Sequence, residues 1–304
     1  MLERFQGSLI GLAVGDAIGA AVEFQQPGTF DEVKDMTGGG VFDLPKGCWT
    51  DDTSMALCLA ESLIEKKAFD AEDQMNRYVK WYRSGHLSSL GTCFDIGNAT
   101  AQALHHYEQT GEAFSGSEDP FSAGNGSIMR LAPVPLFFVN DLVQAAKWSG
   151  ISSKPTHAAK ECMDGCRLFG ALIAAAAQGM EKEQLLHFST FNFLWEDEPL
   201  APKLAEVYKG SYKRLQPPEI QGSGYVVKSL EAALWAFYHS QSFEEGVLLA
   251  VNLGDDADTT GAIFGQLAGA FYGLVGIPSR WVEPLAKCDL ILGYAKKLFE
   301  MKKT

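Results

Sequence analysis

Residues 7–19 read GSLIGLAVGDAIG, and residues 261–273 read GAIFGQLAGAFYG. In both stretches a glycine recurs at every fourth position, which places the glycines on one face of a helix. A glycine inside a helix costs about 1 kcal/mol relative to alanine, so this pattern needs a compensating contact. The close approach of a neighbouring helix would supply that contact. We therefore expect both stretches to be core helices that make unusually close helix contacts.

Helical periodicity also dominates the remainder of the 304-residue chain. Apolar residues recur with helical spacing in 53–67, 71–83, 160–178, 228–239 and 262–274. The strict alternation that is typical of strands is scarce, and no repeat or linker divides the sequence. We therefore predict an all-α protein, with residues 1–304 forming a single compact domain of orthogonally packed helices.

The composition argues against several classes of partner. A net charge of −13 disfavours nucleic-acid binding and docking on anionic membranes. No apolar stretch is long enough to span a bilayer. No heptad pattern indicates an oligomer, so we expect a monomer. The six cysteines include no Cys-x-x-Cys pair, which favours reduced thiols in a cytoplasmic protein over a zinc or redox motif.

Two acidic motifs stand at the start of predicted helices. WTDDT at 49–53 follows a glycine-rich loop, and GDDADTTG at 254–261 opens the second glycine-striped helix. In the first motif, Thr50 or Asp51 could simply cap the helix, since side-chain oxygens accept the free N–H groups of a first turn. In the second motif, capping accounts for one aspartate but not for all three.

The two motifs together suggest more than either does alone. If they meet in space, they bring together the carboxylates of Asp51, Asp52, Asp256 and Asp258. Carboxylates that close cannot all stay ionised without compensation. Two divalent cations would balance them, and ligands that are all oxygen suit Mg²⁺, Mn²⁺ or Ca²⁺ rather than zinc. We therefore predict a dinuclear metal site in a central cleft.

Several blocks, in order between about residues 5 and 282, resemble those of the ADP-ribosylglycohydrolase family. The blocks are GLAVGDAIG at 11–19, TDDT at 50–53, GNGSIMR at 124–130, TH at 156–157, GSGY at 222–225 and GDDADT at 254–259. The bacterial branch that includes the dinitrogenase-reductase-activating glycohydrolase is the most similar. The family usually has glycine where this chain has Asp255, which leaves the metal preference open.

The resemblance implies metal ligands and catalytic residues. The ligands of two Mg²⁺ or Mn²⁺ ions would be Thr50, Asp51, Asp52, Asp256, Asp258 and Thr259. Glu23 would lie beside the ions as a ligand or an acid/base group, on the helix face that carries Asp16. Taken alone, Glu23 would be a solvated helix end. Glu23, Asp95 and Asp258 are the candidate catalytic residues.

The resemblance also implies a substrate site. Asn125, Gly126 and Ser127 would offer backbone N–H groups to a diphosphate, which an acidic protein would otherwise repel. His157 would border the ligand, and Tyr225, beside Gly224, would stack on the adenine or ribose. Without the family, the loop is an ordinary helix entry, and the histidine and tyrosine are structural.

The activity implied is hydrolysis of the bond joining ADP-ribose to a side chain, by a metal-activated water and an oxocarbenium-like transition state. The partner would be an ADP-ribosylated protein or a small ADP-ribosyl compound. Asp95 favours an arginine linkage, because a guanidinium matches a carboxylate in charge and shape. Alternatively, Asp95 caps a helix from about residue 96 to 107. O-linked ADP-ribose, on serine or in poly-ADP-ribose, is the alternative substrate.

Two other functions are weaker. A diphosphate enzyme of the isoprenoid type would need a third aspartate three residues after Asp52, where Met55 stands. A non-catalytic relative that only binds ADP-ribose would be expected to have lost metal ligands. This chain retains all of those named above.

Overall fold

Two antiparallel helices, Leu2–Gly19 (α1) and Ala257–Tyr272 (α12), form the centre of the computed structural model, which describes residues 1–302. Their glycine faces meet so closely that no side chain fits between them. A Cβ atom added to Gly11 would lie 2.3 Å from the Gly265 carbonyl oxygen, and one added to Gly265 would lie 1.9 Å from the Gly11 oxygen. The predicted close helix contact is therefore between the two striped helices themselves.

The all-helical prediction is confirmed over the part of the chain that the structure describes, where only isolated β-bridges and no strands occur. Short 3₁₀ turns connect some of the helices. The remaining α-helices, in chain order, are α2 (Asp51–Lys66), α3 (Ala71–Ser84), α4 (Asn98–Thr110), α5 (Pro133–Phe137), α6 (Leu142–Ile151), α7 (Lys160–Gln178), α8 (Lys182–Leu185), α9 (Pro202–Tyr208), α10 (Val226–His239), α11 (Phe243–Val251), α13 (Ser279–Val282) and α14 (Cys288–Met301).

The main core surrounds the α1–α12 pair. Helices α7, α10 and α11 pack against α12, while α2 and α14 pack against α1. A smaller apolar cluster joins α2, α3 and α4 and includes Met55, Tyr78 and Trp81. Burial of this apolar surface supplies the main driving force for folding. It also fixes the starts of α2 and α12 beside each other.

Among the described helices, none combines the length and the apolar character that crossing a bilayer requires.

Candidate active site

The two acidic motifs meet at one end of the α1–α12 pair. Asp51 and Asp52 begin α2, while Asp258 lies in the first turn of α12. The carboxylates form two overlapping groups, each with oxygens within 4.8 Å of one another: Glu23, Asp256 and Asp258, and Asp51, Asp95 and Asp258. Asp258 belongs to both groups, so the two groups share one carboxylate, and each has the geometry to hold a metal ion.

Asp16 organises the first motif from the neighbouring helix. This fully buried carboxylate accepts hydrogen bonds from the backbone N–H and hydroxyl of Thr50, at 2.8 and 3.0 Å, and from the same groups of Thr53, at 3.1 and 2.6 Å. The capping alternative for Thr50 and Asp51 is therefore wrong: Asp16 takes the free N–H of the first turn of α2, and neither local side chain caps it. Burial raises the pKa of Asp16 to about 6 despite these hydrogen bonds.

The threonines bridge the two motifs. The Thr50 hydroxyl lies 3.2 Å from carboxylate oxygens of both Asp52 and Asp258, and the Thr259 hydroxyl lies 3.4 Å from Asp52. Burial together with neighbouring carboxylates raises the pKa of Asp51, Asp52 and Asp258 well above the usual range. Such crowding of buried carboxylates disfavours their ionised forms unless cations offset the charge.

Glu23 reaches the cluster from a turn and not from a helix. Helix α1 ends at Gly19, so the expectation that Glu23 shares a helix face with Asp16 is wrong. Its side chain is nevertheless buried and lines a cleft of about 390 Å³ with Asp95 and Asp256. Burial, reinforced by the charges of Asp95 and Asp256, raises the pKa of Glu23 to about 10.

Asp95 points into the cleft and caps no helix. Helix α4 begins at Asn98 with Gly97 as its cap residue, so the capping alternative for Asp95 is also wrong. Its φ of +58° is a left-handed conformation that is uncommon for a residue other than glycine and tends to persist at functional sites. Burial, with the charges of Asp16 and Asp256, raises the pKa of Asp95 to about 7.

The glycine-rich loop at 124–127 forms the opposite wall. Asn125 holds Asp256 in place, because its side-chain amide donates to that carboxylate at 2.5 Å. Its backbone N–H donates to the Gly224 carbonyl oxygen at 3.0 Å, so the expectation that this N–H is available to a ligand needs correction. The N–H groups of Gly126 and Ser127 have no partner within residues 1–302. Of these two residues, Gly126 lines the cleft and Ser127 does not.

His157 lies beneath this loop at the edge of the cleft. A Cβ atom added to Gly126 would lie 2.7 Å from the His157 ring, so only glycine lets the loop pass here. Burial and the nearby Arg130 charge lower the pKa of His157 to about 3, which keeps the imidazole neutral. The Ser127 side chain faces away from the cleft, toward Ser153 at 2.7 Å.

Tyr225 lies in a second cleft of about 740 Å³, which shares Gly124 with the first. Its hydroxyl accepts from Lys203 at 2.8 Å and donates to Glu161 at 2.5 Å. Gly224 also lines this second cleft, and the fully exposed ring of Phe121 stands on its rim. The predicted ligand residues therefore line two neighbouring clefts, except Ser127, which lines neither, and the acidic cluster lies in the first cleft.

Asp255 has the conformation for which glycine is usual. Its φ is +53°, and its backbone pairs with the turn after Glu23 through Phe24 N–H to Asp255 O at 2.6 Å and Asp255 N–H to Gln25 O at 2.7 Å. Its side chain does not cap α12. The backbone of Asp255 therefore ties the Glu23 turn to the second motif. The positive φ of Asp255 is the reason that glycine suits this position.

The donor set fits hard divalent cations. One carboxylate oxygen each of Glu23, Asp52 and Asp258 is buried without a hydrogen-bond partner in the described part of the chain. Leaving such atoms unpaired is costly, and cation coordination would satisfy them. Every surrounding ligand atom is an oxygen, which suits Mg²⁺ or Mn²⁺.

The family model of the ADP-ribosylglycohydrolases matches residues 1–304. The chain belongs to the ADP-ribosylglycohydrolase family. This confirms the resemblance found in the sequence motifs. The family is metal-dependent, and the carboxylate cluster is an acidic group able to bind metal.

Individual relatives agree with the family. An ADP-ribosylarginine hydrolase, Tri1, from Pseudomonas putida (strain GB-1) is 45% identical, covering 98% of this chain and 78% of its own length. The ADP-ribosyl-[dinitrogen reductase] glycohydrolase of Rhodospirillum rubrum is 32% identical, covering 93% and 90%. A solved ADP-ribosylglycohydrolase-related protein complex superposes with a TM-score of 0.88 at 44% identity, covering 99% of both chains.

Sequence reasoning left three supporting residues without a role. The sequence could have indicated a role for Asp16, because it is a charged residue in an otherwise apolar, glycine-striped helix. Arg130 and Ser229 gave no such signal. Ser229 accepts from the Asn125 amide at 2.9 Å, which fixes the group that holds Asp256. These roles depend on contacts between residues distant in sequence.

Proposed function

We propose that this protein hydrolyses the N-glycosidic bond of ADP-ribosyl-arginine and releases ADP-ribose and an unmodified arginine side chain. The observation that carries the proposal is the position of Asp95, which lies in the cleft beside Asp51 and Asp258 and not at a helix cap. A guanidinium leaving group is cationic and planar, so a carboxylate at this point complements it. Two relatives named as ADP-ribosylarginine hydrolases support the same linkage.

We further propose that the cofactor is two Mg²⁺ or Mn²⁺ ions. Their ligands would be the carboxylates of Asp51, Asp52, Asp256 and Asp258 and the hydroxyls of Thr50 and Thr259, with Glu23 and Asp95 beside them. When bound, the ions would supply Lewis-acid activation of the attacking water and charge compensation. Asn125 would keep Asp256 oriented for this role through its amide hydrogen bond.

In the reaction, water adds a hydroxyl group to the anomeric carbon and a proton to the departing guanidine nitrogen. The cleft carboxylates would stabilise the positive charge that develops on the ribose ring. Glu23 and Asp95 are the groups placed to hold and deliver the proton. Both carboxyls line the first cleft, within reach of a substrate bound there, as a proton carrier must be.

The natural partner in this proposal is an ADP-ribosylated protein. The diphosphate would bind along the Gly126 side of the first cleft and the adenosine half in the second cleft near Tyr225. A cytoplasmic location is consistent with the six free cysteines, none of which forms a disulfide.

The deciding experiment measures ADP-ribose release from arginine-linked and serine-linked peptides in the presence of Mg²⁺. We expect wild-type protein to cleave the arginine linkage. Asp95→Ala should lower kcat on that substrate by about 10²–10³-fold, as for loss of a general acid or base. Binding of Mn²⁺, followed by calorimetry, should persist with reduced affinity.

Asp43 offers a matched control. It is also an aspartate with a left-handed backbone, φ +49°, but it is exposed and lies outside the cleft. Asp43→Ala should leave turnover within a factor of about two, as is usual for surface changes. Cleavage of serine-linked but not arginine-linked substrate would overturn the assignment of linkage. Tight ADP-ribose binding without cleavage of either peptide would instead indicate a binding protein.

A further inference from the structure

Within residues 1–302, Arg130 is a buried cation without a carboxylate partner. Its side chain is fully buried, and within the described residues its guanidinium donates to the Gly126 carbonyl oxygen at 2.8 Å and to the Thr156 hydroxyl at 2.6 Å. It also lies 4.7 Å from the centre of the Tyr78 ring. A buried charge is normally paired, so this one favours an anion nearby. Its hydrogen bonds place it directly behind the cleft loop.

Thr156 connects this arginine to His157. The Thr156 hydroxyl oxygen accepts from Arg130 and lies 2.9 Å from Nδ1 of His157. A guanidinium can only donate, so the hydroxyl oxygen must be the acceptor in that pair. The hydroxyl proton needs an acceptor of its own because Thr156 is buried. Nδ1 of His157 is the one acceptor in reach within residues 1–302.

This chain of hydrogen bonds determines which ring nitrogen carries the proton. If Thr156 donates to Nδ1, that nitrogen is unprotonated, and the neutral ring must carry its proton on Nε2. No group in residues 1–302 hydrogen-bonds to Nε2, and the ring borders the cleft beside Gly126. The backbone of His157 is also fixed, since its N–H donates to the Ser153 oxygen at 2.7 Å. The Nε2–H group is thus an oriented, unused donor at the cleft wall.

We propose that Arg130 and Thr156 are positioning residues that hold His157 as an Nε2–H donor for a diphosphate oxygen of the substrate. The inference rests on the proposed function, because it takes ADP-ribose as the ligand. Arg130 acts twice in this arrangement. It orients Thr156, and its hydrogen bond to the Gly126 oxygen fixes the loop in which Gly126, with its free N–H, borders the same cleft.

The first test reads the tautomer directly. Long-range ¹⁵N–¹H NMR of ¹⁵N-histidine-labelled metal-loaded protein distinguishes a ring protonated at Nε2 from one protonated at Nδ1. The other five histidines provide internal references, and His157→Gln assigns the signal by its loss. We expect pure Nε2–H in wild type and Thr156→Ser, and a mixture in Thr156→Val. Protonation at Nδ1 in wild type would overturn the proposal.

The second test measures ADP-ribose binding and turnover in the same variants. Loss of one oriented hydrogen bond to a charged oxygen should raise the Kd for ADP-ribose by about tenfold in Thr156→Val. KM should rise in parallel with little change in kcat, and Thr156→Ser should restore both. A purely structural role for Thr156 would instead lower the melting temperature and leave Kd unchanged, which contradicts the proposal.

The two tests separate this inference from the proposed function. If wild-type protein shows the Nε2–H tautomer but does not bind ADP-ribose, the proposed function fails. If it binds ADP-ribose and cleaves arginine-linked substrate, but Thr156→Val has wild-type Kd and tautomer, only the positioning role fails. Arg130→Lys gives a second variant should Thr156→Val not fold. A lysine retains the charge but cannot hold Gly126 and Thr156 at once in the same geometry, so Kd should again rise.

Discussion

The glycine seam between α1 and α12 and the carboxylate cluster at one end of it affect folding in opposite ways. In the seam, backbones touch without side chains, and a Cβ on Gly15 would lie 2.0 Å from the Gly261 oxygen. In the cluster, charged side chains are buried with oxygens that lack partners. The seam favours folding, while the cluster opposes it. Gly19 packs on the Cα of Asp258, so the glycine seam ends where the carboxylate cluster begins. The seam therefore pre-positions groups that would otherwise repel one another.

The strongest test of this contrast is Asp258→Asn, which removes the carboxylate that the two acidic groups share. We expect kcat/KM to fall by about 10³-fold or more, or about 4 kcal/mol of transition-state stabilisation. Because a neutral amide replaces a buried carboxyl whose ionisation the neighbouring carboxylates disfavour, the melting temperature in chelator should stay level or rise. Asp289, in the first turn of α14 and exposed, is the matched control. Asp289→Asn should retain full activity, and a marked loss of stability in Asp258→Asn would break the contrast.

The seam should respond in the opposite way to Gly265→Ala. Its new Cβ would lie 1.9 Å from the Gly11 oxygen, and because both partners are backbone the helices must separate. We expect urea unfolding to report a loss of about 3 kcal/mol, the upper end for overpacking. Gly293→Ala, on α14 with open space at the Cβ position, should gain up to about 1 kcal/mol from helix propensity. Equal effects at the two glycines would disprove the close-contact explanation of the stripe.

A smaller effect concerns pH in the absence of metal. The pKa is raised to about 6 for Asp16, about 7 for Asp95 and about 10 for Glu23. Carboxyls with raised pKa in the folded state bind protons more tightly there than in the unfolded chain. Their ionisation therefore removes stability as pH rises above about 4. We expect the melting temperature in chelator to fall by about 5 °C between about pH 5.5 and pH 8. Mg²⁺ should abolish most of this fall, whereas a rise with pH would contradict the crowding of carboxylates.

Much of the fold followed from local signals. The four-residue glycine repeat and the apolar periodicity predicted core helices, and α7 begins and ends at the predicted residues, Lys160 and Gln178. The predicted first residues of the helices were less accurate. Helix α12 begins at Ala257, five residues before the periodic pattern, because its first turn is made of the acidic motif. Polar residues that serve a site carry no periodic signal.

The site was predictable where its residues form contiguous motifs. Asp51, Asp52, Asp256 and Asp258 belong to two short acidic runs, so their convergence could be anticipated. The supporting contacts could not. Asp16 caps helix α2 by accepting from Thr50, the residue before that helix and 34 positions away in sequence, a form of capping that no local pattern reveals. The turn that delivers Glu23 likewise depends on backbone pairing with Asp255, and a sequence pattern does not show which loops lie side by side.

The four hydrogen bonds that Asp16 accepts also bear on the order of events when an ion arrives. These bonds orient Thr50 and Thr53 through protein groups alone. The residues of the first motif are therefore held in position before a metal ion binds. Uptake of the first ion is then a simple association step, and its observed rate should rise linearly with ion concentration. A plateau in that rate would reveal a slow rearrangement. If the ligand residues are held in place before the ion binds, diffusion of the ion limits the rate of uptake, and rearrangement of the protein does not.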